Sequence, residues 1–258
     1  MKEVDMPTRV YLLDNGTLAI DKSFVTWNHG HGTEYRFPVY AIYIEHPQAR
    51  ILVDTGFDKA WVERVLPFEK PQQEPSQTLP AQLALIGVEP DDIDIVVNSH
   101  LHFDHCSGNK LFPKATFVMT KEELRHAFVP ETFERLGYDR NLVDMPGAKM
   151  QLLELNGYDY ELVPGVTLID TPGHSYGHLS LVVRLGSEPA MVFPIDVAWT
   201  RENLEHRHPM GLHVEPRQLQ HSMMKIQNIA DRLGGKIYYP HDAEEYKTYR
   251  KAPQCYEG

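Results

Sequence analysis

Apolar residues in this chain fall mostly into short, β-branched runs separated by turn residues. Val10-Tyr11-Leu12-Leu13 and Thr17-Leu18-Ala19-Ile20 flank Asp14-Asn15-Gly16, which predicts a hairpin closed by a tight Asn-Gly turn. Pro38 to Glu45 and Ile51 to Val53 read as a second pair of strands, and Ile93-Asp94-Ile95-Val96-Val97-Asn98 as a buried one. Thr116 to Met119, Val166 to Asp170 and Lys236 to Tyr239 are further strand-like runs. Leu179 to Leu185 and Ala190 to Phe193 form an expected antiparallel hairpin about Gly186-Ser187-Glu188-Pro189.

Helical signals appear in three places. Thr78-Leu79-Pro80 opens a helix through Ile86 that stops at Gly87. Thr120-Lys121-Glu122-Glu123 is a capping box leading to about Phe128. Pro216 to Leu233 carries Leu219, Met223, Ile226, Ile229, Ala230 and Leu233 at helical spacing, with Gly234-Gly235 as its stop. Two stretches lack a period. Residues 66 to 80 hold Pro67, Pro71, Pro75 and Pro80 and are expected to be an irregular loop forming a pocket wall. Pro130 to Tyr160 mixes aromatics, glycine and charge, which suggests an insertion over a site.

Several strand-like runs end in residues that carry chemistry. The clearest is Ser99-His100-Leu101-His102-Phe103-Asp104-His105, directly after the buried run that ends at Asn98. If strand geometry persists one step further, His100 and His102 leave the same side of the chain and can grip one ion, with Asp104 and His105 facing a second. Imidazole nitrogen plus a hard carboxylate oxygen, without thiolate, suits Zn²⁺ best and leaves Fe²⁺ and Mn²⁺ open. His174, Asp196 and His241 each follow another strand-like run. Four strand ends converging on one edge would build one site from both halves of the chain, so residues 1–258 are expected to form a single domain. Asp54, in Asp54-Thr55-Gly56, reads as a turn former at a strand end. His178 and the remaining histidines read as structural or solvent-exposed.

Composition narrows the function classes. The 258 residues are 42% hydrophobic and 24% charged, as in an ordinary soluble globular protein. A net charge of −11 without a Lys/Arg cluster speaks against nucleic acid as substrate. Met1-Lys2-Glu3-Val4-Asp5 lacks an apolar core of the signal-peptide kind, and no run approaches the ~18 apolar residues of a membrane span. A cytoplasmic location away from membranes is the expectation. Cys106 and Cys255 do not make a disulfide framework, and Cys106 reads as a small buried hydrophobe.

The run Ser-His-Leu-His-Phe-Asp-His after Val-Val-Asn resembles the signature of the metallo-β-lactamase superfamily. That resemblance implies an α/β (α+β) four-layer αβ/βα sandwich holding one or two metal ions. It assigns His100, His102 and His174 to a first metal and Asp104, His105 and His241 to a second, with Asp196 bridging. For Asp54 it implies, instead of a turn former, a carboxylate that orients a metal ligand. A pair of ions ~3.5–4 Å apart would turn a shared water into a metal-bridging hydroxide and polarise the carbonyl it attacks.

A closer likeness runs along nearly the whole chain. His-x-His-Phe-Asp-His, Thr-Pro-Gly-His-Ser-x-Gly-His, Ile-Asp followed by x-x-aromatic-Thr, and a closing His-Asp resemble the N-acyl-homoserine lactonases. Arg36-Phe37-Pro38-Val39-Tyr40 and Val65-Leu66-Pro67-Phe68-Glu69-Lys70-Pro71 resemble the 4-pyridoxolactonase branch, which opens a lactone fused to a pyridine ring. The resemblance implies a hydrolase of a small-molecule lactone with two Zn²⁺ (Fe or Mn being alternatives) and with a homodimer as an allowed assembly. Asp104 would ligate and also shuttle the proton; Phe103, Tyr176 and Trp199 would contact substrate. Both branches usually place a tyrosine where this chain has Trp199, so its indole N–H is expected either to replace a hydroxyl as donor to substrate or to be wall alone. A glyoxalase II type thioesterase, and a metal-binding module without hydrolytic activity, stand as alternatives.

Overall fold

The computed structural model describes residues 7–186 and 188–258; Met1 to Met6, with the amino-terminal reading, and Ser187, one residue of the expected Gly186-Ser187-Glu188-Pro189 turn, lie outside them. Twelve strands occur in the described residues: β1 (Arg9–Asp21), β2 (Glu34–His46), β3 (Ala49–Val53), β4 (Ile95–Val97), β5 (Thr116–Thr120), β6 (Lys149–Leu153), β7 (Tyr160–Val163), β8 (Val166–Asp170), β9 (Leu179–Val183), β10 (Met191–Phe193), β11 (Lys236–Ile237) and β12 (Tyr256–Glu257). They make a seven-stranded sheet in the order β12-β1-β2-β3-β4-β5-β6 and a five-stranded sheet in the order β11-β10-β9-β8-β7. β3 to β6 run parallel, as do β10 and β11, and the remaining pairs are antiparallel.

Strands buried on both faces explain the continuous apolar runs. Ile42, Ile44, Ile51, Val53, Val97 and Val118 point inward and meet Leu168, Leu179, Leu181 and Phe193 of the other sheet. The alternate positions Tyr43, Leu52, Val96 and Phe117 point outward and pack under Leu79 and Leu83 of the helix Leu79–Ala84 and Ala127 of the helix Lys121–Phe128. On the far side, Val182 and Val192 meet Leu219, Met223, Ile226 and Ala230 of the helix Pro216–Leu233. The layers are therefore helix, sheet, sheet, helix, the expected αβ/βα sandwich.

Two sequence expectations are corrected. Asp14-Asn15-Gly16 does not turn the chain: β1 continues through it and pairs with β2 on both sides of a bulge between Asp14 and Thr17. Gly16 does take positive φ (+98°), as an Asn-Gly turn would require, and a Cβ there would lie 2.3 Å from the Gln72 carbonyl oxygen. What decides between turn and bulge is tertiary: Asn15 accepts the Phe57 N–H at 2.8 Å and donates to the Gln77 carbonyl at 3.1 Å, which holds the strand against the 57–77 segment. The bulge carries the far end of β1 over the site, where Ile20 and Asp21 join the pocket wall. The second correction is that 130–160 is not wholly an insertion. Phe133, Glu134, Leu136 and Gly137 do line the pocket, but 149–153 is edge strand β6.

Candidate metal centre and pocket

The chemistry-bearing residues stand at the C-terminal ends of strands, where rigid backbone delivers them to loops. β4 leads through Asn98 and Ser99 to His100 and His102, and the one-turn helix Phe103–Cys106 then presents Asp104 and His105. His174 follows β8, Asp196 follows β10 and His241 follows β11. Ile195, just before Asp196, has φ +49°, a left-handed conformation rare for a β-branched residue. Strain of this kind persists where the surroundings force it, here to aim the next carboxylate.

His100, His102 and His174 converge. His100 Nε2 lies 3.0 Å from His102 Nδ1 and 3.2 Å from His174 Nε2, and the latter two are 3.0 Å apart. The outer nitrogens are engaged elsewhere. His100 Nδ1 meets Ser99 Oγ at 3.1 Å, and His174 Nδ1–H donates to the Leu212 carbonyl at 2.7 Å. The inner nitrogens of these two rings therefore carry lone pairs and are not hydrogen-bonded to one another. Tetrahedral nitrogen ligands ~2.0–2.1 Å from zinc stand about 3.3 Å apart, close to the spacing found. Burial holds His100 well below the usual imidazole range, and burial with His174 brings His102 to about 3, so both rings are neutral.

Asp104, His105 and His241 form a second group of facing ligand atoms. His105 Nε2 is 3.5 Å from Asp104 Oδ2 and 3.4 Å from Asp196 Oδ1; His241 Nε2 is also 3.4 Å from Asp196 Oδ1. The other Asp196 oxygen, Oδ2, lies 3.3 Å from His174 Nε2, so one carboxylate faces both groups. His105 Nε2, His241 Nε2 and Asp196 Oδ1 are buried without a hydrogen-bond partner. Three orphaned atoms converging in one place would be costly, and cations held between them satisfy all three. The donor set fits divalent metal.

Outer residues fix the ligands. Asp54 accepts the His105 Nδ1–H at 2.8 Å and both the N–H and the hydroxyl of Ser99 at 2.8 Å, so it is an orienting carboxylate and more than a turn former. His241 Nδ1–H donates to the Pro38 carbonyl at 2.9 Å, and the Asp196 N–H donates to His178 Nε2 at 3.0 Å. Sequence reasoning missed Glu123. The Thr120 hydroxyl does cap Glu123 N–H as expected, yet the Glu123 carboxylate does not reach back; fully buried, it accepts from Leu101 N–H, the Ser175 hydroxyl and Gly177 N–H. It thus ties the His100–His102 loop to the His174 loop. Gly177 permits this, since a Cβ there would lie 2.4 Å from Glu123 N. No local pattern marks such a residue.

The centre forms the floor of a cavity of about 690 Å³. Phe103 lines it, stacked on Trp61 at 5.1 Å, as do Phe37 and Leu66. Trp199 also lines it, but its indole N–H does not point at the cavity; it donates to Asp196 Oδ2 at 2.8 Å. The expected donor to substrate is therefore engaged with the shared carboxylate. Tyr176 is not among the lining residues. Glu123 grips Ser175 and Gly177 on either side, and Tyr176 turns outward against His126, 37% exposed. Cys106 is fully buried, and burial raises its thiol pKa well above the ordinary value.

The chain matches the family model of the metallo-beta-lactamase superfamily over residues 35–247. It is 32% identical to the N-acyl homoserine lactonase AttM of Rhizobium johnstonii, covering 96% of this chain and 98% of that protein. It is 30% identical to an N-acyl homoserine lactonase of Bacillus thuringiensis, covering 95% and 98%. Among solved structures, an N-acyl homoserine lactone hydrolase with the product N-hexanoyl-L-homoserine at its catalytic metal center superposes with a TM-score of 0.86 at 28% identity, over 97% of this chain and 100% of that one. The paired histidine and aspartate groups at the strand ends, the four layers and these likenesses agree: the chain belongs to the metallo-beta-lactamase superfamily, within its N-acyl homoserine lactonase family.

Proposed function

We propose that the chain holds two zinc ions, with iron or manganese as alternatives, and opens the ring of a small lactone. The observation that carries this is Asp196, whose two oxygens face two separate ligand groups on the floor of one apolar-walled cavity. His100, His102 and His174 would hold one ion, Asp104, His105 and His241 the other. When bound, such a pair of ions lowers the pKa of water and polarises the ester carbonyl.

The chain's own residues then position and move protons. Phe37, Phe103, Leu66 and Trp199 give the ring an apolar seat and exclude bulk water. Asp104 lines the cavity as well as facing the centre. Its Oδ2 lies 3.5 Å from His105 Nε2 and 3.9 Å from His241 Nε2, and as a carboxylate at the cavity surface it is placed to accept a proton. As water adds to the carbonyl, Asp104 takes its proton; as the ring C–O bond breaks, Asp104 returns that proton to the departing alkoxide oxygen. Water is consumed and a hydroxy acid results. With an acyl-homoserine lactone as substrate, the consequence would be quorum quenching. Metal-loaded and chelator-stripped protein should be compared on such a lactone. Ring opening only by the loaded form supports the reading, and equal inertness of both refutes it.

A further inference from the structure

Asp196 is aimed by a neighbour that is itself held against its preference. Ile195 packs into the core between the sheets, 5% exposed, with φ at +49°, and the next residue must turn back to the metal centre. The backbone groups on either side of Ile195 are taken up by one buried chain of hydrogen bonds. The Asp196 N–H donates to His178 Nε2 at 3.0 Å, and His178 Nδ1 lies 3.0 Å from Thr171 Oγ. Thr171 Oγ is 2.9 Å from Ser180 Oγ, which donates to the Pro194 carbonyl at 2.7 Å. Thr171, His178 and Ser180 are all fully buried.

The two ends of this chain fix its polarity. An amide N–H can only donate, so His178 Nε2 carries a lone pair and the neutral ring bears its proton on Nδ1. A carbonyl can only accept, so the Ser180 hydroxyl proton points to Pro194. The Thr171 hydroxyl then accepts from His178 Nδ1–H and donates to Ser180 Oγ. All four bonds run one way and every donor among them is used, as burial demands. Building on the two-ion reading, we propose that His178, Thr171 and Ser180 are positioning residues that hold Ile195 left-handed and thereby set the Asp196 carboxylate between the two ligand groups.

Where the hydrogen bonds lead favours a role at the centre over packing alone. Thr171 follows β8 directly, His178 precedes β9 and Ser180 lies within it, yet both ends of the chain fall on the loop after β10. Asp196 Oδ1 lies 3.4 Å from both His105 Nε2 and His241 Nε2, and Oδ2 lies 3.3 Å from His174 Nε2, so moving this carboxylate disturbs both ligand groups at once. The Trp199 indole acts on the carboxylate itself, whereas His178 acts on the backbone that carries it. A right-handed Ile195, the conformation L-residues prefer, would carry Asp196 off this line.

The test follows metal as well as turnover. Zinc retention against a chelator, and the spin coupling of manganese-loaded protein, are compared in wild type, His178→Leu, His178→Gln, Thr171→Val and Ser180→Ala. Zinc affinity should fall about 10–100-fold in His178→Leu, the scale of losing an outer partner of a metal ligand. His178→Gln should recover most of that loss, because its amide oxygen can still accept the Asp196 N–H; Thr171→Val and Ser180→Ala should fall in between. The coupling of two manganese ions sharing a carboxylate should weaken in parallel. Circular dichroism and thermal melting verify each fold. If His178→Leu fails to fold, Thr171→Val, which keeps the shape and loses only the hydroxyl, carries the comparison. Lower melting temperatures with wild-type zinc affinity and coupling would leave these residues a packing role alone and overturn the proposal, as would a Gln variant no better than the Leu variant. Lactone opening is followed alongside. A wild type that opens no lactone defeats the hydrolase reading, and one that holds a single ion defeats the two-ion reading; in both cases zinc retention across the variants still reports on His178, Thr171 and Ser180.

Discussion

The indole N–H of Trp199 donates to Asp196 Oδ2 at 2.8 Å, on the oxygen that also lies 3.3 Å from His174 Nε2. An aromatic wall residue thereby fixes the rotation of the shared carboxylate. Trp199→Phe keeps an apolar ring and removes the donor. We expect kcat/KM for a lactone to fall about 10-fold, the scale of one hydrogen bond to a charged group, together with weaker metal retention in competition with a chelator. Unchanged metal retention would reduce Trp199 to a wall.

Asp54 acts on the second ligand group through His105 Nδ1 and on the first through Ser99. Asp54→Ala removes both anchors. Outer partners of this kind are typically worth about 10–100-fold in metal affinity. Competition titration should show that loss, and a variant that binds metal as tightly as the wild type would contradict the assignment.

Removing Asp104 should empty one site selectively, since His100, His102 and His174 do not depend on it. Protein purified without chelator should approach two ions per chain, and Asp104→Ala about one, the count set by the remaining donor groups. Elemental analysis that finds one ion in both proteins would refute the second site.

The ligands were legible because they sit in a dense local motif and at strand ends, where spacing alone constrains geometry. What was not legible depends on contacts distant in sequence. Asn15-Gly16 has the chemistry of a turn, and only its bonds to Phe57 and Gln77 make it a bulge. β6 escaped notice because four of its five residues are exposed at the sheet edge and its short Lys-Met-Gln-Leu alternation lies inside a stretch of glycine, charge and aromatics without a longer period. Glu123 looks like an ordinary helix-capping residue, and Glu69 like one more charge in a proline-rich loop, until the fold buries them. Trp199 was visible as a departure from the family pattern, but its partner could not be read from the sequence.

His126 and Glu134 pair across the segment 129–137, part of which forms the cavity wall. Burial lowers the His126 pKa, and Glu134, together with Glu123 and Glu131, more than offsets this, leaving it above the ordinary value. A raised folded-state pKa means that the pair's stabilisation is fully present below the unfolded value of about 6.5 and is lost as pH rises through the folded value. Proteolytic nicking within 129–137 should therefore increase with pH above that point. His126→Gln should flatten the dependence; a slope retained in the variant would point to another group.

The most direct test of the central claim is proton release by zinc-loaded protein on a panel of small lactones, with the product mass determined and an acyl thioester run in parallel. The account predicts one proton released per lactone opened, a product heavier by one water, and a kcat lowered by about 10²-fold or more in Asp104→Asn at unchanged metal content. A protein carrying two ions that opens no lactone and cleaves the thioester instead would contradict it.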